Sequence, residues 1–283
     1  MPPLRGARQG MNTSRSSHNA LWQFYFYGRQ TMILDKFKLD GKVAIVTGSR
    51  RGLGRGMAIA LAEAGADVVG FDRNDPVETR RAIEALGRRY RWQKVDLLKA
   101  RPADLQKAVD EVVAAWGHVD ILVNNAGICP RDPLLEYSEQ YWYDTVQVNL
   151  HSVWFMAQIV ARQMVKQGGG KIINIASLLS HQGGTIVPGY TAAKHGVLGV
   201  TRSMANELAG KHVNVNSITP GYMRTDLTEL FVGKPEFNLE ARMPAGRWGT
   251  PEDLQGAVVY LASAASDYVH GSDLAVDGGW LTW

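Results

Sequence analysis

The amino-acid sequence predicts an α/β fold: a doubly wound parallel sheet of about seven strands with helices on both faces. Two observations favour it. Short β-branched runs alternate with segments of helical periodicity, and a glycine-rich turn follows the first run. Strands that alternate with helices form right-handed βαβ units, which make neighbouring strands parallel. No Pro/Gly/Ser-rich linker interrupts the series, so we expect one domain over residues 35–283.

The predicted elements alternate in order along the chain. Residues 43–46 form a β-branched strand closed by Thr47-Gly48, and the apolar periodicity of residues 53–64 predicts the first helix. Later strands are predicted at 67–71, 91–95, 121–123, 171–175, 213–218 and 274–276. Later helices are predicted at 77–86, 103–116, 139–167, 190–209 and 252–262.

Composition and charge exclude several classes of protein. The chain has 283 residues, 45 % of them hydrophobic, and no run of 18 apolar residues that would cross a membrane. Four arginines in residues 1–34 account for the net charge of +4, because residues 35–283 hold 27 basic and 27 acidic side chains. We therefore expect neither a nucleic-acid surface nor membrane binding. A single cysteine, Cys129, predicts no disulfide, no cysteine-rich metal site and a reducing, cytoplasmic location.

Residues 1–34 are interpreted as an N-terminal extension. The segment is rich in Arg and Ser and has no acidic residue, which is the composition of a transit peptide. An alternative start at Met32 gives a second interpretation, an extension that is disordered or dispensable. We favour the second interpretation.

The turn after the first strand predicts a phosphate-binding loop with the spacing G-x-x-x-G-x-G. Glycines let the backbone turn sharply and approach a pyrophosphate, whose charge the positive end of the following helix stabilises. The residues expected to bind a dinucleotide here are Gly48, Arg51, Gly52, Leu53 and Gly54.

Residues at the ends of the next strands bear on the identity of the dinucleotide. Asp72 ends the second strand, where a carboxylate accepts hydrogen bonds from the adenosine ribose hydroxyls and repels a 2′-phosphate. Arg51 and Arg73 favour NADP instead, because guanidinium groups bind the 2′-phosphate. We predict NAD, with NADP as the alternative. Further predicted cofactor contacts are Asp96 and Leu97 at the adenine ring and Asn124, Ala126 and Gly127 after the fourth strand.

Tyr190 and Lys194 lie four residues apart in a predicted helix, thirteen residues or more after Ser177. Positions four apart share a helix face, so the ammonium group lies beside the phenol. The pKa of a free phenol is about 10, and a nearby cation lowers it. The pair therefore predicts proton transfer at neutral pH. On its own, the same spacing is also typical of a half-buried ring and a solvated charge.

Together, these motifs resemble the short-chain dehydrogenase/reductase family. The resemblance covers residues 38–283 and is carried by T-G-x-x-x-G-x-G from Thr47, N-N-A-G from Asn124, Asn149, Ser177, Tyr190, Lys194 and Pro220-Gly221. It implies a Rossmann-like domain, a nicotinamide cofactor and a homotetramer. It also implies that Pro220, Gly221 and Thr225 contact the cofactor.

The resemblance implies a catalytic tetrad of Asn149, Ser177, Tyr190 and Lys194. Ser177 is expected to donate a hydrogen bond to the substrate oxygen, and Tyr190 to give or take the hydroxyl proton. Lys194 is expected to lower the pKa of Tyr190. Lys194 is also expected to bind the nicotinamide ribose, and Tyr190 is a further predicted cofactor contact. Asn149 is expected to hold a water that links Lys194 to solvent.

Further segments resemble members of the family that act on six-carbon sugar acids. They are residues 35–42, 117–120, 172–177, 243–249 and 276–281. The implied reaction interconverts a secondary hydroxyl and a ketone on an acid of the 2-deoxy-D-gluconate or 2-dehydro-3-deoxy-D-gluconate type. Alternatives are gluconate oxidation at C5, NADPH-dependent uronate reduction and, from another class, a catalytically silent nucleotide-binding sensor.

A sugar acid requires a cation for its carboxylate, ideally a bidentate arginine. Arg131, which follows the fourth strand, is the first candidate, and Arg247 is the second. His181 and Gln182, just after Ser177, are candidates for binding the hydroxyl groups. Residues 222–246 are predicted to form a loop over the substrate.

Overall fold

The computed structural model describes residues 32–233 and 238–282. Residues 1–31 of the predicted extension and residues 234–237 of the predicted substrate loop lie outside the described residues. Internal contacts divide the chain into residues 1–36 and residues 37–283. A short 3₁₀ turn, Ile33–Phe37, is the first described element, and the sheet belongs entirely to residues 37–283.

A parallel sheet of seven strands organises residues 37–283 in the described part of the chain. The strands are β1 (Val43–Thr47), β2 (Asp67–Asp72), β3 (Tyr90–Lys94), β4 (Ile121–Asn124), β5 (Gly170–Ile175), β6 (Val213–Pro220) and β7 (Asp273–Val276). Their order is β3-β2-β1-β4-β5-β6-β7, and every neighbouring pair is parallel. The strand order reverses between β1 and β4, which is where open α/β sheets form a ligand crevice.

Helices cover both faces of this sheet, so the predicted doubly wound, Rossmann-like fold is confirmed. They are α1 (Gly52–Glu63), α2 (Val77–Ala85), α3 (Pro102–Trp116), α4 (Glu139–Val146), α5 (Ser152–Gln167), α6 (Pro188–Leu208) and α7 (Gln255–Ala262). Alternate residues of β1 enter two separate cores. Val43 and Ile45 pack with residues of α3 and α5, whereas Ala44 and Val46 pack with residues of α1 and α7. No helix among the described residues is long and apolar enough to cross a membrane.

The predicted helix at residues 139–167 differs from the structure. It consists of α4 and α5 joined by a π-helical turn, Gln147–His151. A π turn inserts one residue into the helical repeat. The apolar pattern tolerates this one-residue shift, so periodicity did not reveal it. Similarly, the predicted helix at 252–262 begins with a 3₁₀ turn, Pro251–Leu254, before α7.

Candidate active site

A cavity of about 1050 Å³ lies at the carboxyl ends of the strands. Residues 72–74 and 95–98 line one part of it, and the glycine-rich loop after β1 lines the middle. Residues that follow β4, β5 and β6 line the remainder, together with Trp280. The cavity therefore joins the end of β2 to the predicted catalytic residues, which is the span that a dinucleotide would need.

The glycine-rich loop has the geometry of a phosphate cradle. Gly48 and Gly52 have positive φ angles of 70° and 55°. A Cβ atom on Gly54 would lie 2.1 Å from the Gly48 carbonyl oxygen, so a side chain does not fit there. Helix α1 starts at Gly52 without a side-chain cap and without an acidic residue in its first turn. Its uncapped N–H groups fit the pyrophosphate of a dinucleotide.

Two residues missed by the sequence analysis hold this loop against β4. The Asn125 side-chain amide donates hydrogen bonds to the carbonyls of Thr47 and Gly48, at 3.0 and 3.2 Å. The Thr47 hydroxyl oxygen accepts from the backbone N–H groups of Asn125 and Ala126, at 3.0 and 3.1 Å. Thr47 belongs to the motif T-G-x-x-x-G-x-G and Asn125 to the motif N-N-A-G, so the sequence did contain a signal for both residues. They fix the two strand ends on either side of the cavity.

Asn124, predicted as a cofactor contact, is buried beneath the site and is not among the described residues that line the cavity. Its side-chain amide donates to Asn174 Oδ1 at 2.9 Å. It also donates to the Val153 carbonyl in α5, so the side chain faces the neighbouring strand and helix, whereas that of its successor Asn125 faces the loop. A cofactor contact of Asn124 stays a prediction.

Asp72 lines the cavity, but its carboxylate is committed to the glycine-rich loop. One oxygen accepts hydrogen bonds from the Ser49 hydroxyl and backbone N–H, and the other accepts from the Arg50 N–H. Burial raises the pKa of this carboxyl, and these hydrogen bonds oppose the rise. The carboxylate is nearly inaccessible and therefore braces the loop, while its contact with the ribose hydroxyls stays a prediction.

The remaining predicted cofactor residues lie in the wall of the cavity. They are Gly48, Arg51, Gly52, Leu53, Gly54, Asp96, Leu97, Ala126, Gly127, Pro220, Gly221 and Thr225. Asp96 also caps its own loop, since it accepts a hydrogen bond from the Leu98 N–H at 3.1 Å. Arg51 forms an ion pair with Asp226, which connects the glycine-rich loop to the segment after β6.

Ser177, Tyr190 and Lys194 meet in the same cavity. The Ser180 hydroxyl donates to the Lys194 carbonyl at 2.8 Å, and this bond fixes the loop of Ser177 against α6. Burial raises the pKa of Tyr190 to about 12, and a hydrogen bond with the Ser177 side chain opposes the rise. Burial lowers the pKa of Lys194 to about 8. Nearby Cys129 also lines the cavity.

The expected lowering of the Tyr190 pKa by Lys194 is not what the structure shows. Lys194 Nζ donates to the Ile175 carbonyl at 2.6 Å and lies 5.5 Å from the centroid of the Tyr190 ring. Lys194 is buried and Tyr190 is half-buried, and the loss of water around each side chain disfavours its charged form. Burial therefore outweighs the attraction between the cation and the phenolate.

Asn149 lies inside the π turn and is fully buried. Its Oδ1 accepts a hydrogen bond from the Ile128 N–H at 2.9 Å, and its Nδ2 donates to the Ile128 carbonyl at 2.7 Å. The side chain thus binds the loop after β4. Both polar atoms of the Asn149 side chain are therefore engaged by Ile128, and its predicted contact with a water stays a prediction.

Two of the four added substrate candidates reach the cavity, Arg131 and Gln182. His181 and Arg247 are not among the described residues that line it. His181 Nε2 lies 2.8 Å from Asp273 Oδ2 on β7, and the Arg247 guanidinium binds both oxygens of Asp253 at 2.8 and 2.7 Å. Both predictions are corrected: each side chain is turned toward a carboxylate outside the cavity.

An arginine and two aromatic residues in the cavity wall were missed. The Arg242 guanidinium carbon lies 4.4 Å from the Trp280 ring centroid, and the Tyr222 ring contacts Trp280 edge-on at 4.7 Å. Trp280 Nε1 donates to Gln182 Oε1 at 2.9 Å. Trp280 lies in segment 276–281, quoted for the sugar-acid resemblance, and Tyr222 and Arg242 lie in the predicted substrate loop 222–246, which were the available signals.

Comparisons with known proteins agree with this geometry. A family profile described as Enoyl-(Acyl carrier protein) reductase matches residues 48–281. The 2-dehydro-3-deoxy-D-gluconate 5-dehydrogenase of Escherichia coli (strain K12) is 53 % identical over 253 residues, 88 % of this chain and 99 % of that protein. The gluconate 5-dehydrogenase of Gluconobacter oxydans (strain 621H) is 41 % identical over 255 residues, 87 % of this chain and 96 % of that protein.

A solved structure of a related dehydrogenase is also similar to this chain in both fold and sequence. The gluconate 5-dehydrogenase of Burkholderia cenocepacia J2315, in complex with NADP and tartrate, has a TM-score of 0.84 and 40 % sequence identity. The match covers 89 % of this chain and 100 % of that one. With its parallel sheet, its glycine-rich loop and the meeting of Ser177, Tyr190 and Lys194 in one cavity, the chain belongs to the short-chain dehydrogenase/reductase family.

Proposed function

We propose that the protein is a nicotinamide-dependent oxidoreductase that interconverts a secondary hydroxyl and a ketone on a six-carbon sugar acid. The observation that carries the proposal is the convergence of Ser177, Tyr190 and Lys194 in a cavity that continues to an uncapped glycine-rich loop. Relatives named for 2-dehydro-3-deoxy-D-gluconate and gluconate support the substrate class. Among these, 2-dehydro-3-deoxy-D-gluconate is favoured because its dehydrogenase has the higher identity of the two.

The chain's own residues place the reacting oxygen and move its proton. Ser177 donates a hydrogen bond to the substrate oxygen and stabilises the charge that develops there. Tyr190 donates the proton to a ketone or takes it from a hydroxyl. When bound, the nicotinamide accepts or supplies the hydride. Asn149 holds the Ile128 loop and presents its carbonyl to a water that exchanges protons with Lys194.

The buried pair gives the two reaction directions different requirements. Because burial raises the pKa of Tyr190 to about 12, the phenol is protonated at neutral pH and able to donate its proton to a ketone. Oxidation requires the phenolate, so Tyr190 must give up its own proton before it takes one from the substrate. Lys194, whose pKa burial lowers to about 8, becomes neutral in mildly alkaline solution and can accept a proton.

NAD or NADP fits the cavity, and NAD is the proposed preference. The Asp72 carboxylate stands at the end of β2 and repels a 2′-phosphate, whereas Arg51 and Arg73 in the same wall attract one. The related Burkholderia structure is named as a complex with NADP. The ratio of kcat/KM values with the two cofactors tests the preference, and a higher value with NADP would overturn it.

Tyr190→Phe tests the proposed reaction. The variant retains the ring in the buried wall but has no proton to transfer, so turnover should be lost while NADH still binds, measured by fluorescence titration. The wild-type protein should reduce NAD with 2-dehydro-3-deoxy-D-gluconate, 2-deoxy-D-gluconate or gluconate. Activity confined to acyl-thioester ketones or steroids would refute the substrate class. NADH binding without turnover of any secondary alcohol would favour the silent nucleotide sensor.

We also propose a homotetramer located in the cytoplasm. Exposed aromatic side chains cluster on α4 and at the start of α5: Tyr141, Trp142, Tyr143 and Trp154. Aromatic residues are enriched where subunits meet, so this cluster supports burial by another copy. Light scattering after size-exclusion chromatography measures the mass directly. A monomeric mass for the wild-type protein would contradict the proposal.

A further inference from the structure

The substrate part of the cavity carries positive charge that no described carboxylate in its wall neutralises. Its charged wall residues there are Lys194 of the catalytic group, Arg131 and Arg242. The wall also contains three carboxylates, and each is engaged elsewhere. Asp72 binds Ser49 and Arg50, Asp96 accepts from Leu98, and Asp226 pairs with Arg51. An anionic substrate therefore meets two uncompensated guanidinium groups.

The guanidinium groups of the two arginines differ in whether their N–H donors already have hydrogen-bond acceptors within the described residues. Arg131 donates from one terminal nitrogen to the Cys129 carbonyl at 3.2 Å and from the other to the Leu227 carbonyl at 2.8 Å. Its forked end is thus held by backbone oxygens. Within the described residues, the Arg242 guanidinium forms no hydrogen bond or ion pair, and its face is stacked on Trp280. Both terminal nitrogens of Arg242 are available for a bidentate contact.

The positive charges of the two arginines also affect the pKa values of different tyrosines. Burial chiefly raises the pKa of Tyr190, and the charge of Arg131 opposes that rise, which places Arg131 at the reacting end. Burial likewise raises the pKa of Tyr222, and there the opposing charge belongs to Arg242. In a hexonate oxidised at C5, four carbon–carbon bonds of about 1.5 Å each separate the reacting carbon from the carboxylate carbon. The carboxylate therefore belongs away from Tyr190.

Arg242 is exposed, and its surroundings support the guanidinium on one face. Arg242 ends a 3₁₀ turn, Glu240–Arg242, and the next side chain, Met243, is buried. Trp280 supports the guanidinium face, and the Trp280 ring is itself held by its hydrogen bond to Gln182. Glu240, the nearest acidic residue in the sequence, pairs with Arg224 at 3.9 Å. A stacked and unpaired guanidinium is preorganised for a planar carboxylate.

We propose that Arg242 binds the substrate carboxylate and determines the preference of the enzyme for sugar acids over neutral polyols. The inference rests on the proposed function and deepens it by assigning the anion contact. Arg131, the candidate from sequence, then stands near the reacting oxygen and contributes positive potential there. Trp280 and Gln182 are the positioning residues for the Arg242 contact.

The test compares 2-dehydro-3-deoxy-D-gluconate with its primary carboxamide, in which the charge is absent, using NAD as cofactor. For Arg242→Gln, kcat/KM for the acid should fall by about 30-fold or more, mainly through KM. With the carboxamide, kcat/KM should change by less than about 3-fold. Arg242→Lys should recover part of the loss, since it restores the charge but not the fork. Arg247→Gln, which removes an arginine that lies outside the cavity wall and is paired with Asp253, is the matched control and should behave as wild type.

The possible outcomes separate the two proposals. Equal losses for acid and carboxamide in Arg242→Gln would overturn the Arg242 assignment, as would a selective loss for the acid in Arg131→Gln alone. A wild-type enzyme that turns over neither sugar acid nor carboxamide would instead refute the proposed function. Circular dichroism and NADH titration of each variant exclude misfolding or loss of the cofactor site as the cause.

Discussion

One carboxylate oxygen of Asp72 accepts two hydrogen bonds from Ser49, at 3.1 Å from the backbone nitrogen and 2.6 Å from the hydroxyl oxygen. The same hydroxyl lies 2.8 Å from the Tyr90 phenol oxygen, so β2, β3 and the glycine-rich loop meet at Ser49. Asp72 therefore has two consequences for the cofactor: it shapes the loop, and it places negative charge near the adenosine ribose.

Asp72→Ala should separate these two consequences. Removing the charge should raise the ratio of kcat/KM with NADP to kcat/KM with NAD. Removing the brace should lower both values, because buried donors on Ser49 and Arg50 lose their acceptor. Steady-state kinetics with both cofactors measure the two effects. An NAD efficiency equal to that of the wild type would show that the brace contributes nothing, and an unchanged ratio would show that the charge of Asp72 does not select the cofactor.

Gly54→Ala should abolish cofactor binding and destabilise the fold. The added Cβ would lie 2.1 Å from the Gly48 carbonyl oxygen and 2.4 Å from Asn125 Nδ2, so the loop or β4 has to move. Gly199→Ala is the matched control in α6, where an added Cβ meets nothing within 4 Å. It should be neutral or stabilising by up to about 1 kcal/mol. NADH titration and thermal unfolding compare the two, and normal NADH affinity in Gly54→Ala would contradict the geometry.

Lys194→Met should make stability less dependent on pH. The pKa of Lys194 is about 8 in the folded protein and 10.5 in an ordinary environment, because burial disfavours the charge. Between these values the unfolded chain binds the proton and the folded one does not, so wild-type stability rises with pH there. The buried charge costs roughly 3 kcal/mol at pH 7 by this linkage.

The stability of Lys194→Met relative to wild type should therefore be greatest near pH 7 and decrease toward pH 9.5. Urea unfolding of both proteins at pH 7, 8, 9 and 9.5 measures the difference in the free energy of unfolding. A difference that is constant over this range would show that Lys194 titrates alike in the folded and unfolded states.

Arg247→Gln should leave the reaction unchanged and cost little stability. Arg247 binds Asp253 through two nitrogens and holds the pKa of that carboxyl well below its usual range. The pair is exposed, and such pairs contribute about 1 kcal/mol or less. The KM for the sugar acid should stay within about 2-fold of the wild-type value, since the side chain lies outside the cavity wall. A tenfold rise in KM would return Arg247 to the substrate site.

The parts of the site that depend on local spacing were predictable from sequence. The glycine-rich loop and the Tyr190–Lys194 pair each lie within a few residues of chain, and the resemblance added Ser177 and Asn149. The substrate wall was harder because it joins distant segments. Trp280 meets Gln182 across 98 positions, and His181 turns away from the cavity to meet Asp273 across 92. Side-chain partners of this kind are set by tertiary packing.

The pKa values were also not predictable from spacing. Four residues of separation correctly place Lys194 beside the Tyr190 ring. The helix spacing carries no information about how deeply the pair is buried, and burial determines the sign of both shifts. For the same reason, the position of Asp72 at the end of its strand did not reveal that the glycine-rich loop folds over its carboxylate.

The π turn at Gln147–His151 constrains how the chain can vary in length. Deleting one residue from this turn would restore a continuous α-helix. The side chains of α5 would then be rotated by about 100° about the helix axis relative to those of α4. Either Asn149 would then leave Ile128, or the buried stripe of α5, which includes Met156 and Met164, would turn out of the core. In evolutionary terms, this segment can exchange side chains far more readily than it can gain or lose a residue.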